Sequence, residues 1–267
     1  MISSNIFEVK NKDGVIFLQF PAFNKTELVK HGFSTKVGGI STGIFNSMNL
    51  SYNRGDNKDN VDINFQRFCK AIGVNRESLF FSDQIHEDKI HIVKELGEEI
   101  SGIDSLITDN LDVTLVTSFA DCVPLFFLDP VKRVIALAHA GWRGTVKNIA
   151  GKTVEAMKRE FACDEKNILA GIGPSIGACC FEVSEDVKLE VEKLFHRDII
   201  DKIVKKNNDK YIVDLWQANK ELLLRAGLLS QNIEVTDLCT MCNKDVLFSH
   251  RGTNGKRGNM VAMMTLK

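Results

Sequence analysis

Three short segments of the sequence concentrate side chains that bind metals or perform acid–base chemistry. They are QIH at 84–86, ADCVP at 120–124 and HAGWRG at 139–144. A thiolate and two imidazoles suit Zn²⁺, and three protein ligands leave the fourth tetrahedral position open, as in catalytic zinc sites. We therefore predict that His86, Cys122 and His139 bind one metal ion. Their spacing matches no compact zinc finger, and the alternative is that each histidine bonds a backbone carbonyl.

A second group of residues is suited to binding an anion. Arg143 and Gly144 lead into a predicted helix, so a guanidinium and unpaired backbone N–H groups face the same place as the positive end of the helix dipole. The structural alternative is a glycine turn that enters a capped helix. Near the end of the sequence, SHR at 249–251 and KRG at 256–258 form a basic, glycine-rich loop. The alternative is a solvated loop, but we expect this loop, and Arg251 in particular, to contact an anion or a substrate.

The seven cysteines of the chain are scattered, which argues against a disulfide framework and for a reducing compartment. Cys239 and Cys242 have CxxC spacing, but no second CxxC or pair of histidines completes a zinc knuckle in the sequence. We expect Cys179 and Cys180 to pack as small apolar side chains, which is the commoner fate of a free cysteine.

Hydrophobic patterning predicts the elements that position these residues. An amphipathic helix capped by Thr145 covers 146–161, and further helices start at Ser184 and Asp214. Polar loops are expected at 53–60 and 205–210. Because adjacent strand pairs alternate irregularly with helices, we predict an α+β fold, with mixed β-sheets packed in layers and flanked by helices, in a single domain over residues 1–267. The predicted strands are 113–119, 123–128, 134–138, 168–172, 233–235, 246–248 and 260–265.

Composition and charge restrict the class of protein. The 267 residues are 44% hydrophobic and 26% charged, which is typical of a globular chain that buries a core without disulfide or metal support. A net charge of −1 gives no attraction to nucleic acid or an anionic membrane, so we expect neither as a partner and favour a small polar substrate. The sequence shows no secretory signal and no apolar stretch of about 18 residues, so a cytoplasmic location is expected.

Taken together, the motifs resemble the laccase-domain family, also known as polyphenol oxidoreductases and as bacterial purine nucleoside phosphorylases. The similarity runs nearly end to end, and HAGWRGT together with ADCVP is highly specific. It implies that His86, Cys122 and His139 are zinc ligands, in a layered fold similar to that of a toxin-like cysteine hydrolase. The other segments that carry it include HGFSTK at 31–36, GGIS at 38–41, DSLIT at 104–108 and GPSIG at 173–177.

The resemblance also implies a chemistry: phosphate-dependent cleavage of adenosine, inosine and S-methyl-5'-thioadenosine, with adenosine deaminase activity beside it. Deamination would use a zinc-activated water, with Asp121 as the carboxylate that moves protons. Phosphorolysis would depend on positioning of phosphate by Arg143, the helix N-terminus and Lys36. The family usually has Arg at position 36, so Lys36 keeps the charge but loses bidentate geometry.

Other function classes stay open from the sequence. One is a cysteine hydrolase or amidase acting on peptidoglycan precursors, with Cys122 as nucleophile and His139 as its base. Another is the copper-dependent polyphenol oxidase of the family's older name, but its copper centres need more imidazoles than the six histidines provide, and no His-x-His pair occurs. The remaining class is a non-enzymatic binding module. No partner protein is implied.

Overall fold

The computed structural model describes residues 2–267, and mixed β-sheets form its centre. The strands are β1 (Glu8–Lys12), β2 (Val15–Gln19), β3 (Val29–Ser34), β4 (Leu79–Phe81), β5 (Ile90–Ile92), β6 (Ser105–Thr108), β7 (Thr114–Phe119), β8 (Val123–Asp129), β9 (Val134–Ala140), β10 (Leu169–Ile172), β11 (Glu182–Val183), β12 (Val204–Asn207), β13 (Lys210–Val213), β14 (Ile233–Val235) and β15 (Met260–Leu266). The α-helices are α1 (Pro21–Thr26), α2 (Lys58–Ile72), α3 (Trp142–Val146), α4 (Ile149–Phe161), α5 (Glu185–Glu192), α6 (Arg197–Ile203) and α7 (Leu215–Arg225).

Most of the strands belong to one of two large sheets. The first sheet has the order β1-β2-β3-β15-β7-β4, and the second sheet has the order β14-β10-β8-β9-β6-β5. A small third sheet has the order β11-β13-β12. Most neighbours in the large sheets are antiparallel, but β4 with β7, β5 with β6 and β10 with β14 are parallel. The predicted mixed α+β architecture is therefore confirmed.

The two large sheets pack face to face, and their central strands are buried on both sides. Successive side chains of a strand point to opposite faces. Along β15, Met264 shares a core with Phe126 of β8 in the second sheet, whereas its neighbour Met263 shares a core with Phe65 of α2. The order of layers is therefore α2, first sheet, second sheet. Full burial of each large apolar side chain contributes about 1.5–3 kcal/mol to this packing.

Helices cover the other face of the second sheet. Ala136 of β9 shares a core with Val154 of α4 and Leu222 of α7. The alternate residue Leu137 faces the first sheet instead. The second sheet is thus enclosed by apolar layers. On its central strands β8 and β9, the polar side chains Asp129 and His139 lie at or next to the strand ends. In residues 2–267, no helix combines the length and apolar character needed to cross a membrane.

The predicted helix over 146–161 is broken in two, and Thr145 does not cap it. Thr145 lies inside α3, and its buried hydroxyl accepts a hydrogen bond of 3.0 Å from Asn219. Asn148 separates α3 from α4 in a left-handed conformation with φ of 60°, and its side chain accepts from the N–H of Gly151. Asparagine tolerates this conformation and is a strong N-cap, which explains the break. Asp214 caps α7, as predicted.

Three local predictions about strands and loops are wrong. Residues 246–248 form a turn rather than a strand, because the N–H groups of Val246 and Leu247 both bond back to the carbonyl of Asn243. The stretch 205–210 is not a loop, since β12 and β13 pair there and leave a tight turn. The stretch 53–60 includes the end of a 3-10 turn and the start of α2, which the Asn57 side chain caps.

The prediction for Cys179 and Cys180 is also wrong. Cys179 is exposed and Cys180 is partly exposed. Both thiols lie against Cys242 of the CxxC pair, at 3.5 and 3.4 Å between sulfurs. Cys179 and Cys180 therefore do not pack as small apolar side chains in a core. They are neighbours in space of the CxxC pair, which has no further cysteine pair close to it in the sequence.

His31, in the HGFSTK motif, is a core residue and not a site residue. It lies on β3, is completely buried, and packs against the rings of Phe20, Phe23 and Phe126. Its Nε2 accepts a hydrogen bond of 2.8 Å from the N–H of Phe20. Burial lowers the pKa of His31 to about 3, because an imidazolium would lose its hydration there. The native fold therefore requires the neutral ring.

We predict that His31 makes the protein less stable as the pH falls. Below pH about 6.5 the unfolded chain binds a proton that folded His31 does not bind. The free energy of unfolding should then decrease by about 1.4 kcal/mol per pH unit from this residue alone, until pH approaches its folded pKa. Urea denaturation at pH 6.5, 5.5 and 4.5 measures the slope.

His31→Asn should remove this contribution from the slope, since the amide oxygen can accept from Phe20 but does not titrate. His196→Asn, at an exposed position, is the matched control. An equal slope in the parent and the His31→Asn variant would contradict the prediction.

Candidate active site

His86, Cys122 and His139 lie together where the two large sheets meet. One ligand atom from each residue lies within 4.8 Å of the other two, and the two imidazole centroids are 4.7 Å apart with perpendicular rings. His86 belongs to the crossover from β4 to β5, and Cys122 to the crossover from β7 to β8, so each connects the first sheet to the second. His139 lies on β9 itself. The fold thus joins three distant segments at one point.

A buried carboxylate organises two of these three residues. Asp104 is completely buried and accepts hydrogen bonds of 3.2, 3.0 and 2.9 Å from the N–H groups of Ile85, His86 and Glu87. It also accepts one of 2.8 Å from Nδ1 of His139. The bond fixes the ring and leaves Nε2 of His139 free to face Cys122 and His86. The motif DSLIT includes Asp104, but the sequence does not reveal this role.

Both turns that carry the ligands have unusual backbone conformations. His86 has φ of 65° and Asp121, next to Cys122, has φ of 85°. Non-glycine residues in this left-handed region are strained by about 1 kcal/mol or more, so the surroundings must hold them. Asp104 does so for His86. For Asp121, the hydroxyl of Thr240 and the N–H of Arg251 each donate to one carboxylate oxygen, at 2.5 and 2.6 Å.

The charges at the centre favour a thiolate. Burial alone would raise the pKa of Cys122, but the charge of His139 and hydrogen bonds from His139 and His86 lower it to about 6. Burial alone would lower the pKa of His139, yet the Cys122 thiolate and the Asp104 carboxylate raise it to about 9. At neutral pH the free protein therefore holds a thiolate beside an imidazolium, and binding of a cation would displace the imidazolium proton.

The donor set and the space around it fit a metal ion. A thiolate and two imidazoles are donors that suit zinc. Gly141 lies beside them, and a Cβ added there would be 3.1 Å from Sγ of Cys122 and 3.4 Å from Cδ2 of His86. The missing side chain keeps the approach to the three donors open. A metal held here would therefore keep a position that a substrate or water can reach.

The centre opens into two adjoining cavities. The first has a volume of about 340 Å³ and is lined by His86, Cys122 and His139 among others. The second has a volume of about 300 Å³ and shares His86 and Cys122 with the first. Arg54 and Arg257 line both cavities. Together the cavities have the size and the convergent polar groups of a small-molecule site.

Arg257 is a buried cation without an acidic partner in the described part of the chain. Its guanidinium donates to the carbonyl of Gly258 and to the side-chain oxygen of Asn259, and lies 3.4 Å from Nδ1 of His250. Its Nε has no hydrogen-bond partner within residues 2–267. Burial and the charge of Arg54 lower the pKa of Arg257 to about 10, and the group remains a cation. Buried Arg257 and exposed Arg54 both line the cavity, and two cations there favour an anion.

The predicted anion-binding residues lie in different places. Arg251 lines the second cavity. Arg143 is exposed and its guanidinium stacks over Trp142 at 4.3 Å. Lys36 donates to the carbonyl of Lys244 at 2.5 Å. Among the described residues that line the two cavities, Arg143, Gly144 and Lys36 do not occur.

Sequence reasoning missed Arg54 as a site residue, and it reached Arg257 only as part of a basic loop expected to contact an anion or a substrate. Arg54 lies in the polar stretch expected to be a loop, and Arg257 lies in the KRG segment near the end of the sequence. The basic, glycine-rich neighbourhood of Arg257 was the available signal. Asp121, predicted to be catalytic, lines the second cavity beside Cys122. The roles of all these side chains remain predictions.

We predict that Asp104→Asn weakens zinc binding at Cys122 about 10- to 100-fold, because the substitution removes the charge that orients His139 and the His86 segment. The zinc concentration that half-protects Cys122 from iodoacetamide reports on this centre alone, with the modified residue read by mass spectrometry. Asp112→Asn is the matched control on an exposed carboxylate. Equal protection curves for the parent and Asp104→Asn would rule out the orienting role.

The fold and the centre define a laccase-like α+β domain. It superposes on the crystal structure of hypothetical protein YfiH of Bacillus licheniformis with a TM-score of 0.91 at 33% identity, covering 98% of this chain and 100% of the other. For YlmD of Geobacillus stearothermophilus the TM-score is 0.90 at 31% identity, covering 98% and 99%. The pattern of the family described as multi-copper polyphenol oxidoreductase laccase matches residues 30–267, and the chain belongs to this family.

Curated relatives in the family carry the name purine nucleoside phosphorylase. The protein of that name from Bacillus subtilis, YlmD, is 34% identical over 254 residues, which cover 91% of this chain and 90% of the relative. A purine nucleoside phosphorylase of Mus musculus is 34% identical over 244 residues. These cover 89% of this chain but only 55% of the mouse protein, so the chain spans about half of that relative's length.

Proposed function

We propose that the protein is a zinc-dependent purine nucleoside phosphorylase. It would convert adenosine, inosine and S-methyl-5'-thioadenosine with phosphate to the free base and ribose 1-phosphate or its methylthio derivative. The names of the relatives support this class. The structural observation that carries the proposal is that Arg54 and Arg257 line the same cavity as His86, Cys122 and His139.

In this proposal Arg54 and Arg257 hold phosphate. Their guanidinium groups offer several donors, and the unpartnered Nε of Arg257 is one that an oxyanion would satisfy. The second cavity adds an apolar wall formed by Ile176 and Phe181. A purine ring can pack on this wall, which would direct the ribose toward the arginines. Both reactants would then be bound at once.

Phosphorolysis needs little more than this positioning. A phosphate oxygen forms a bond to C1' of the ribose as the bond from C1' to the purine nitrogen breaks, and the departing purine gains a proton. Holding the two reactants in line removes much of the entropic barrier. The arginines also stabilise the phosphate charge in a site that is partly closed to water. His86, Cys122 and His139 would hold zinc, which when bound supplies a Lewis acid beside the substrate.

Deamination of adenosine at the same centre is part of the proposal. It requires a carboxylate close to the metal ligands, and Asp121 is adjacent to Cys122 and lines the second cavity. Hydrogen bonds from Thr240 and Arg251 fix the position of its carboxylate. Asp121 would hold and transfer the proton that moves from the attacking water toward the leaving ammonia.

One observation favours a second candidate function, a cysteine hydrolase acting on peptidoglycan precursors. His139 contacts Cys122 on one side and Asp104 on the other, as a base lies between a nucleophile and an orienting carboxylate. The pKa of Cys122 is lowered to about 6. This arrangement could act without a metal. The two proposals make different use of the same thiolate.

A multicopper oxidase receives less support from the structure. Of the other histidines, His31 lies in the core and His91 bonds to Glu98 at 2.6 Å. Within residues 2–267, the cluster of candidate metal ligands that contains histidine has two imidazoles, those of His86 and His139. Blue-copper and multinuclear copper centres are rich in imidazole, so this donor set favours a single ion such as zinc.

We predict that Arg54→Gln raises the KM for phosphate about 10-fold or more and changes kcat less, because one charged contact to phosphate is lost. The measurement follows adenine, inosine and ribose 1-phosphate from adenosine and zinc-loaded protein over a range of phosphate concentrations. Arg159→Gln, an exposed residue of α4, is the control. An unchanged phosphate KM would remove Arg54 from the site, and no phosphate-dependent product in the parent would overturn the phosphorylase.

Chelation and alkylation experiments distinguish the two candidate functions. We predict that iodoacetamide modifies Cys122 rapidly at pH 7 in metal-free protein, since its pKa of about 6 keeps it ionised, and that zinc protects it. Nucleoside turnover should disappear on chelation and return with zinc. Amide hydrolysis that survives chelation but not alkylation would instead favour the cysteine hydrolase.

A further inference from the structure

Four cysteines outside the candidate active site meet at the surface. Cys179 and Cys180 come from the loop after β10, and Cys239 and Cys242 from the loop after β14. The four sulfur atoms all lie within 4.8 Å of one another. We call these residues the four-cysteine cluster. The two pairs are about 60 residues apart in the sequence, so the fold alone brings them together.

The sulfur spacing fits a single tetrahedral ion. Zinc binds thiolates at about 2.3 Å, which places the sulfurs of a tetrahedral site about 3.8 Å apart. In the cluster, the Cys242 sulfur lies 3.5 Å from that of Cys179 and 3.4 Å from that of Cys180. A slight outward shift of these sulfurs would give the tetrahedral spacing. Four sulfurs so close together are the donor set of a structural zinc site.

The backbone around the cluster is already arranged for it. The N–H of Gly177 donates to Sγ of Cys239 at 3.3 Å, an interaction that orients a thiolate and supports its charge. The turn that carries Cys180 is closed by its N–H bonding to the carbonyl of Gly177 at 2.9 Å. The N–H of Asn243 bonds to the carbonyl of Cys239 at 3.0 Å and closes the other turn. Both ligand turns are thus held by local bonds.

A disulfide accounts for this arrangement less well. Cys242 contacts both Cys179 and Cys180 at nearly equal distances, whereas a disulfide would join it to one partner. Cys239 is buried, and Cys179 and Cys242 are exposed, so the cluster is a surface site with one inner ligand. Its distinct feature is the convergence of four sulfurs.

We propose that Cys179, Cys180, Cys239 and Cys242 bind a structural zinc ion. With four protein ligands the site is closed, so its role is to join two loops. One of these loops carries Phe181, which lines the second cavity. The other carries Thr240, whose hydroxyl holds Asp121. The ion therefore stabilises the wall of the candidate active site without contacting a substrate.

The metal content of a His86→Ala protein tests the proposal independently of the proposed function. This substitution disrupts the other centre, so the cluster is the remaining site. The His86→Ala variant purified without chelator should contain about one zinc ion per chain, and the double variant His86→Ala/Cys242→Ala should contain none. His86→Ala/Cys163→Ala is the matched control, since Cys163 lies outside the cluster, and should keep the ion. Absence of zinc from His86→Ala, or iron in its place, would overturn the proposal.

Two further measurements identify the ligands and the role. In His86→Ala, cobalt in place of zinc should give sulfur-to-cobalt absorption with the intensity of four thiolates, and Cys242→Ala in that background should reduce it. Chelation should lower the Tm of His86→Ala by about 10 °C and leave that of His86→Ala/Cys242→Ala unchanged. A disulfide found within the cluster in freshly purified protein, or a Tm of His86→Ala that does not respond to chelation, would contradict the zinc site.

Discussion

The candidate active site depends on the hydrogen bonds that the buried carboxylate of Asp104 accepts. This carboxylate is completely buried, and burial of an anion is costly unless donors surround it. Here three successive backbone N–H groups and the His139 ring provide those donors. The same bonds hold His86 in a strained conformation and select the nitrogen of His139 that faces the centre. One charge therefore sets the position of both imidazoles, although it touches no reactant.

Local sequence patterns predicted the strands that are buried on both faces, because continuous apolar runs such as those of β8 and β9 are typical of strands covered by a layer on each side. The strands β1 to β6 escaped prediction. The β1 strand is polar and mostly exposed, and β4, β5 and β6 have only three or four residues. The β3 strand is buried, but its lysine, histidine and glycine interrupt the apolar pattern. His86, Cys122 and His139 could be proposed from residue type and family resemblance. That they meet depends on crossovers between sheets, which no local pattern records.

The arginines and the cysteines illustrate the same limit of sequence reasoning. Arg54 and Arg257 lie in polar, glycine-containing stretches that are typical of solvated loops, and only the fold turns both toward one cavity. Cys239 and Cys242 lack partners nearby in the sequence. A bridge between Ser175 and Cys239 brings their segment beside Cys179 and Cys180. Pairings between distant segments decided both sites.

The hairpin of β8 and β9 links strand register to chemistry. Pro124 is paired with His139, and Asp129 with Val134. The four residues 130–133 between the strands therefore fix the register that places His139 opposite Pro124, two residues after Cys122. Since side chains alternate between faces, a slip of one position would turn the imidazole into the apolar layer beneath α4 and bring an alanine in its place. The length of the turn at 130–133, at the other end of the hairpin, is therefore as constrained as the ligands themselves. Insertions in this turn should be tolerated only where the register between β8 and β9 is kept.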